Sequence, residues 1–377
     1  MVKKVLVFVM ALCCTLNVYA AEPAGGYARA AVVIDGGTGK VLYEKNAYEK
    51  LGMASTTKIM TGICGIEFGD LESEVKVSSR AAGVEGSSMY LKAGEKISLY
   101  DVICGLMLVS GNDAATAVAE SVGGSEGGFV LLMNQKAHEI GAYNTCFQNP
   151  HGLSVPGHYT TAYDLAKITA YAMKNPVFSE IVSQKSKTAD SISGSKRQLT
   201  NHNKLLKLYD GCIGVKTGFT KATGRCLVSA AERDGLTLIC VTLNDGNDWN
   251  DHMAMLDKGF LNYKSQPIVK EGTVLAKAKV HGGEEKNVSL IAGSDESVAA
   301  KKGEASRYSV SVPENICLEA PIEKGKAYVK AAVMENGKKV GEINLVAADN
   351  VAAAAKKERK IKKGFFDWLF RKNKGSS

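Results

Sequence analysis

The sequence predicts an α+β domain whose first and last strands share a sheet, followed by a small all-β sandwich and a C-terminal amphipathic helix. Three features point to this. A hairpin pattern opens the body of the chain, helical periodicity fills its middle, and strand patterns run from Gly211 to Leu243, an order in which the first and last strands share one sheet. After Tyr263 the residues turn β-like with polar turns. Beyond Asn350 they turn basic and then aromatic.

A length of 377 residues suits two domains better than one. Residues 1–20 read as a secretory signal peptide: Lys3 and Lys4 give a positive start, Val5 to Leu16 an apolar run, and Val18-Tyr19-Ala20 the small residues at the −3 and −1 positions of a cleavage site after Ala20. The apolar run is short for a membrane span, which needs roughly 20 residues. The first domain is expected over 21–265. In it, Ala30 to Tyr43 places two β-rich runs around a Gly-rich turn. A helix is expected from Ser55, with Ile59, Met60, Ile63 and Cys64 at helical spacing. Leu99 to about Met173 is mostly helical with glycine breaks, and CIGVKTGF, RCLVSAA and LTLICVTL read as strands.

The second domain is expected over 266–348. Val274 to Val280 and Tyr308 to Val312 alternate, and Tyr328 to Val346 holds a hairpin turn at Asn336-Gly337. The tail is expected over 349–377. Asn350 is placed to cap a helix through VAAAAKKERKIKK, and Ile361, Phe365, Trp368 and Leu369 share one helical face. Basic flanks around Phe and Trp suit a helix lying in a membrane surface.

The signal contributes +2 and the stretch Lys356 to Lys374 contributes +7 to a net charge of +8, which leaves −1 for the body. A near-neutral body has no basic field for nucleic acid. Seven of the nine cysteines lie outside the signal, scattered without short pair spacings; buried thiols are expected, and neither a disulfide scaffold nor a zinc site.

Three short motifs carry the chemistry. Ser55-Thr56-Thr57-Lys58 is an S-x-x-K string, and residues three apart on a helix share a face. A serine hydroxyl needs a neighbouring base, and a lysine serves as one only when burial or nearby positive charge lowers its pKa. Ser110-Gly111-Asn112 follows the apolar run VICGLMLV, where it ends or kinks a helix; Ser110 is placed to relay a proton and Asn112 to hold a substrate carbonyl. Lys216-Thr217-Gly218 lies in a strand-like run. A strand edge accepts an extended peptide as an added strand. Lys216 and Thr217 would meet a substrate carboxylate, and Gly218 permits close backbone approach. Each motif alone is a common string, but together and in order they form one set.

With these motifs, and with AAVVIDGGTGKVLYEKN, LMLVSGNDAATAVAE, NPHGL and GVKTGFTKATGRCLVSAAERDGL, the chain resembles the D-alanyl-D-alanine carboxypeptidases among low-molecular-mass penicillin-binding proteins. The resemblance covers nearly the whole chain after the signal. It implies the fold of serine β-lactamases and DD-peptidases, an antiparallel sheet with a helical cluster. It implies Ser55 as acylated nucleophile, Lys58 as base, Ser110 and Asn112 on the helical side of a cleft, and Lys216, Thr217 and Gly218 on the strand side. The backbone N–H groups of Ser55 and Phe219 would form the oxyanion hole. His151 is read as structural, because that mechanism needs no imidazole, and Arg225 is close in sequence without a place as a second carboxylate anchor. The implied reaction removes the terminal D-alanine from peptidoglycan stem pentapeptides, uses no metal or cofactor, and is blocked by β-lactams. The implied location is the outer face of the cytoplasmic membrane, held through the tail. Two alternatives share some of these motifs: a class A-like β-lactamase, for which no deacylating-glutamate segment stands out, and a non-catalytic penicillin-binding sensor.

Overall fold

The computed structural model describes residues 25–355. The expected signal lies outside the described residues, as does the tail beyond Ala355.

Strand β1 (Ala28–Asp35) turns into β2 (Val41–Lys45), as the Gly-rich turn between them requires. A 3₁₀ turn, Ala54–Thr57, precedes α1 (Lys58–Phe68). The chain continues through β3 (Glu74–Lys76), α2 (Ser79–Ala82) and β4 (Lys96–Ser98) into α3 (Leu99–Leu108), α4 (Asn112–Gly123) and α5 (Glu126–Ile140). After a long loop come α6 (Ala162–Met173), α7 (Pro176–Ser183), the hairpin β5 (Ser186–Asp190) and β6 (Lys196–Thr200), and α8 (Leu205–Leu208). Strands β7 (Cys212–Thr220), β8 (Gly224–Arg233) and β9 (Leu236–Asp245) then lead into α9 (Asp248–Asn262).

The main sheet runs β2-β1-β9-β8-β7, so the opening strand pairs antiparallel with the late strand β9, and β7 is an edge. Period-two alternation splits the sheet residues between two faces. Val32, Ile34, Val228, Ile239 and Val241 pack into the core shared with the helical cluster. Ala31, Val33, Leu227, Leu238 and Cys240 face Met255 and Leu256 of α9. Both faces are therefore covered, which is why these strands read as nearly continuous apolar runs. Helix ends are set by side chains in several places: Ser98 caps α3, Ser125 caps α5 and Thr161 caps α6, each accepting from a backbone N–H three residues on.

The second region begins with β10 (Tyr263–Val269), followed by β11 (Val274–His281), β12 (Asn287–Ala292), β13 (Glu296–Lys301), β14 (Tyr308–Ser311), β15 (Cys317–Glu319), β16 (Ala327–Glu335) and β17 (Lys338–Ala347). A six-stranded sheet, β14-β16-β17-β12-β11-β15, and a pair, β10-β13, enclose one core in which Val298 meets Leu290, Val333 and Leu345. The β16–β17 turn is at Asn336 and Gly337, both with positive φ, as a tight hairpin turn of this sequence demands.

Two expectations shift. The α-helix starts at Lys58, not Ser55, because Ala54 takes φ +46 and the Thr56 and Thr57 hydroxyls donate back to the Met53 and Ala54 carbonyls, tightening the turn. Asn350 caps no helix: its Oδ1 accepts from the Lys324 N–H, and Val351 and Ala353 form bridges with Ile322 and Gly283. The alanine run has strong helix propensity, but pairing to the β core takes its first residues.

The two regions are tied together. The Asp35 carboxylate accepts from Gly37 N, Thr38 Oγ1 and Ala299 N. Lys40 Nζ donates to the Ala299 carbonyl and pairs with Glu335 at 2.9 Å.

Candidate active site

The site is assembled where the 3₁₀ turn, the start of α4, the loop around His151 and the edge strand β7 converge. Ser55 sits in the turn, held by a relay beneath it. Gln148 N donates to His158 Nδ1 at 3.0 Å, so the neutral ring carries its proton on Nε2 and donates to Thr57 Oγ1 at 2.8 Å. Thr57 in turn donates to the Ala54 carbonyl. Burial lowers the His158 pKa to about 4, which keeps the relay neutral. Gly152 presses on the same carbonyl. It has φ +92, and a Cβ there would lie 2.0 Å from Ala54 O, so only glycine fits.

Lys58 is fully buried one turn after Ser55. Its Nζ lies 3.0 Å from Ser55 Oγ, 2.7 Å from Asn112 Oδ1 and 2.6 Å from the His151 carbonyl oxygen. Burial, with the Lys216 charge as the second cause, holds its pKa well below the ordinary lysine value, against the opposing pull of Asp113.

Asn112 opens α4. Its side-chain oxygen takes the Lys58 bond, its Nδ2 donates to Glu85 O at 2.6 Å and its backbone N–H donates to Ser87 O. Beside it, Asp113 accepts from Ser88 Oγ, Met89 N and Leu91 N. The stretch from Glu85 to Leu91 is thereby strapped across the start of α4. Ser110 lies between α3 and α4 with φ +62, a conformation uncommon for a residue with a Cβ, and is buried.

Across from the turn, β7 carries the third motif. Lys216 is buried, its Nζ donates to the Thr217 carbonyl, and burial lowers its pKa to about 7. A Cβ on Gly218 would lie 3.0 Å from Ser55 N and 3.1 Å from Thr56 N, so the glycine lets the strand edge lie against the serine's backbone. Phe219 is exposed and pairs across the sheet with Arg225. All three sequence motifs therefore meet in one place.

Arg225 is engaged elsewhere: it makes a two-pronged ion pair with Asp248 (3.0 and 2.8 Å) beside the Trp249 ring. The His151 imidazole accepts from Leu153 N, and burial, followed by the Lys58 charge, lowers its pKa to about 3. The His151 backbone, not its ring, reaches Lys58. That carbonyl, the Asp113 carboxylate and the Glu85–Leu91 strap were not singled out from the sequence. The NPHGL string was the one available signal for the first.

A serine and a buried lysine one turn apart, under the edge of an antiparallel sheet backed by helices, suit an acylating serine hydrolase, and the family match makes the class a serine-type peptidase hydrolase. The chain belongs to the D-alanyl-D-alanine carboxypeptidase family, whose model matches residues 17–247; residues 263–353 match the C-terminal domain of penicillin-binding protein 5. It is 35% identical over 338 residues to the D-alanyl-D-alanine carboxypeptidase DacF of Bacillus subtilis, covering 87% of this chain and 86% of that one. It is 34% identical over 344 residues to DacC of Escherichia coli, covering 86% and 84%. Among solved structures, penicillin binding protein 5 from Haemophilus influenzae superposes with a TM-score of 0.65 at 28% identity, covering 86% of this chain and 98% of that one. These matches favour neither the β-lactamase nor the sensor alternative. Among the described residues no helix is long and apolar enough to cross a membrane.

Proposed function

We propose that Ser55 attacks the carbonyl between the last two D-alanines of a peptidoglycan stem peptide, with Lys58 as its base. The environment of Lys58 carries this reading. Two of its three partners, Asn112 Oδ1 and the His151 carbonyl, can only accept hydrogen bonds. A neutral amine satisfies both with its two N–H groups and leaves its lone pair for Ser55 Oγ, 3.0 Å away. Its lowered pKa supports the neutral form.

In the first step Lys58 takes the Ser55 proton as the Oγ–C bond forms. The oxyanion is met by the backbone N–H groups of Ser55 and Phe219. The C–N bond then breaks, and the proton passes from Lys58, through Ser110, to the departing D-alanine nitrogen. Water hydrolyses the acyl-enzyme by the same base. Lys216 and Thr217 hold the substrate carboxylate, Asn112 borders the helical side, and Gly218 admits the peptide backbone along β7. A β-lactam acylates Ser55 the same way, but its leaving group stays tethered. The reading includes export by the signal at 1–20 and attachment to the outer membrane face by the basic aromatic tail.

Two measurements test it. Proteolytic mapping of the penicillin adduct should place it on the peptide containing Ser55; an adduct elsewhere refutes the assignment. Flotation with anionic vesicles should carry the full chain and leave behind a chain ending at Ala355; equal flotation refutes the anchor.

A further inference from the structure

A pocket of about 520 Å³ lies away from Ser55, in the seam between the catalytic region and the β domain. Its size suits a small organic ligand. Five lysines line it, and two are neutralised: Lys136 by Glu67 and Glu139, Lys326 by Glu323. The other pocket carboxylate, Glu342, is itself paired with Lys339. Three ammonium groups remain, and among the described residues none has a carboxylate within 4.0 Å. Lys167 donates to the Gly141 carbonyl, Lys330 to the Ile140 carbonyl and Lys174 to the Gly37 carbonyl.

Each of these bonds uses one of the three N–H groups of an ammonium. Lys167 and Lys174 come from α6 and its end, Lys330 from β16 of the other domain. A point beside Gly141, where a Cβ would stand, is 2.9 Å from Lys167 Nζ and 3.9 Å from Lys330 Nζ, so two like charges are held close together. Such crowding is costly without an anion. It is also felt: burial and then the Lys330 charge lower the Lys167 pKa, against the pull of Asp164 and of Glu342, the pocket carboxylate that Lys339 already holds.

We propose that this inter-domain pocket binds a phosphate ester of a polyol or sugar, its phosphate held by Lys167, Lys174 and Lys330. Three cations, two from α6 and its end and one from β16, suit a tetrahedral group with at least three oxygens better than a two-oxygen carboxylate. The rest of the pocket, walled by Ala170, Tyr328 and Val329, leaves room for the organic part.

The test is calorimetry on the full chain with glycerol 3-phosphate, inorganic phosphate and, as controls, glycerol and potassium chloride at matched ionic strength. Glycerol 3-phosphate should bind saturably, with a Kd of about 1 mM or tighter. A K167Q/K330Q double variant keeps N–H donors for the carbonyls and should bind about tenfold or more weakly. K326Q, which removes an already paired charge, should stay within about twofold of the parent. Should the glutamine variant fail to fold, K167R/K330R, which keeps the charge, should retain binding, and K174Q should weaken it. Absence of saturable binding, equal losses in K326Q, or binding unchanged in the double variant would overturn the site. Equal affinity for inorganic phosphate and the ester would overturn the ester and leave the free ion as ligand.

Discussion

Asn112 Oδ1 lies 2.7 Å from Lys58 Nζ, and the same amide's nitrogen is held by the Glu85 carbonyl. The second bond fixes which end of the amide faces the lysine. A neutral oxygen there orients the amine without adding the negative charge that would keep it protonated.

Replacing that amide by a carboxylate tests the point. Asn112→Asp puts a negative charge beside Lys58, raises its pKa and should slow acylation by fluorescent penicillin at pH 7 by about a hundredfold or more. The rising limb of the acylation–pH profile should move upward by more than about one unit. An unmoved limb would separate Lys58 from the base role.

Lys216 gives the opposite limb. Its ammonium must be charged to hold a carboxylate, and burial lowers its pKa to about 7. For the tripeptide substrate kcat/KM should therefore rise as Lys58 loses its proton and fall as pH passes through about 7. A bound carboxylate stabilises the ammonium, so the falling limb of kcat should lie higher than that of kcat/KM. Coincident limbs would argue against Lys216 as the carboxylate holder.

Gly152→Ala should damage both fold and site. The added Cβ meets Ala54 O at 2.0 Å, and the φ of +92 is itself strained for alanine. A loss of stability of roughly 1–3 kcal/mol is expected, with slower penicillin acylation because the His151 carbonyl leaves Lys58. Thermal melting and labelling rate check the two effects; a variant with parental values would contradict the packing described.

Acid stability should follow the buried histidines. His151, His158 and His252 have pKa values lowered by burial to about 3, about 4 and about 3, from an ordinary 6.5. Each lowered value favours the neutral folded form, so this stability is present above about pH 6.5 and is lost progressively as pH falls toward 4 and 3. His252, held between Ser229 and Thr242, can be tested singly: His252→Gln should lower the melting temperature at pH 7 and flatten its decline between pH 6.5 and 4. A decline as steep as the parent's would remove this histidine from the effect.

The parts legible in sequence were those with local signals. Alternation and turn residues gave β1, β2 and the Asn336-Gly337 hairpin, and three motifs gave Ser55, Lys58, Asn112 and Gly218, which come together in one place. The parts that were not legible depend on contacts distant in sequence. The His151 carbonyl reaches Lys58 across 93 residues and carries no side-chain signature. The Asp113 contacts to Ser88, Met89 and Leu91 are backbone and hydroxyl bonds that no spacing announces. Asn350 followed by alanines reads as a helix start, but the β core competes for the same residues and wins.

The most direct test is D-alanine release from diacetyl-Lys-D-Ala-D-Ala by the purified chain and by Ser55→Ala, run beside fluorescent penicillin labelling. Release and labelling by the parent chain, both abolished in Ser55→Ala, is the expected result. Undiminished release or labelling in Ser55→Ala would contradict Ser55 as the nucleophile.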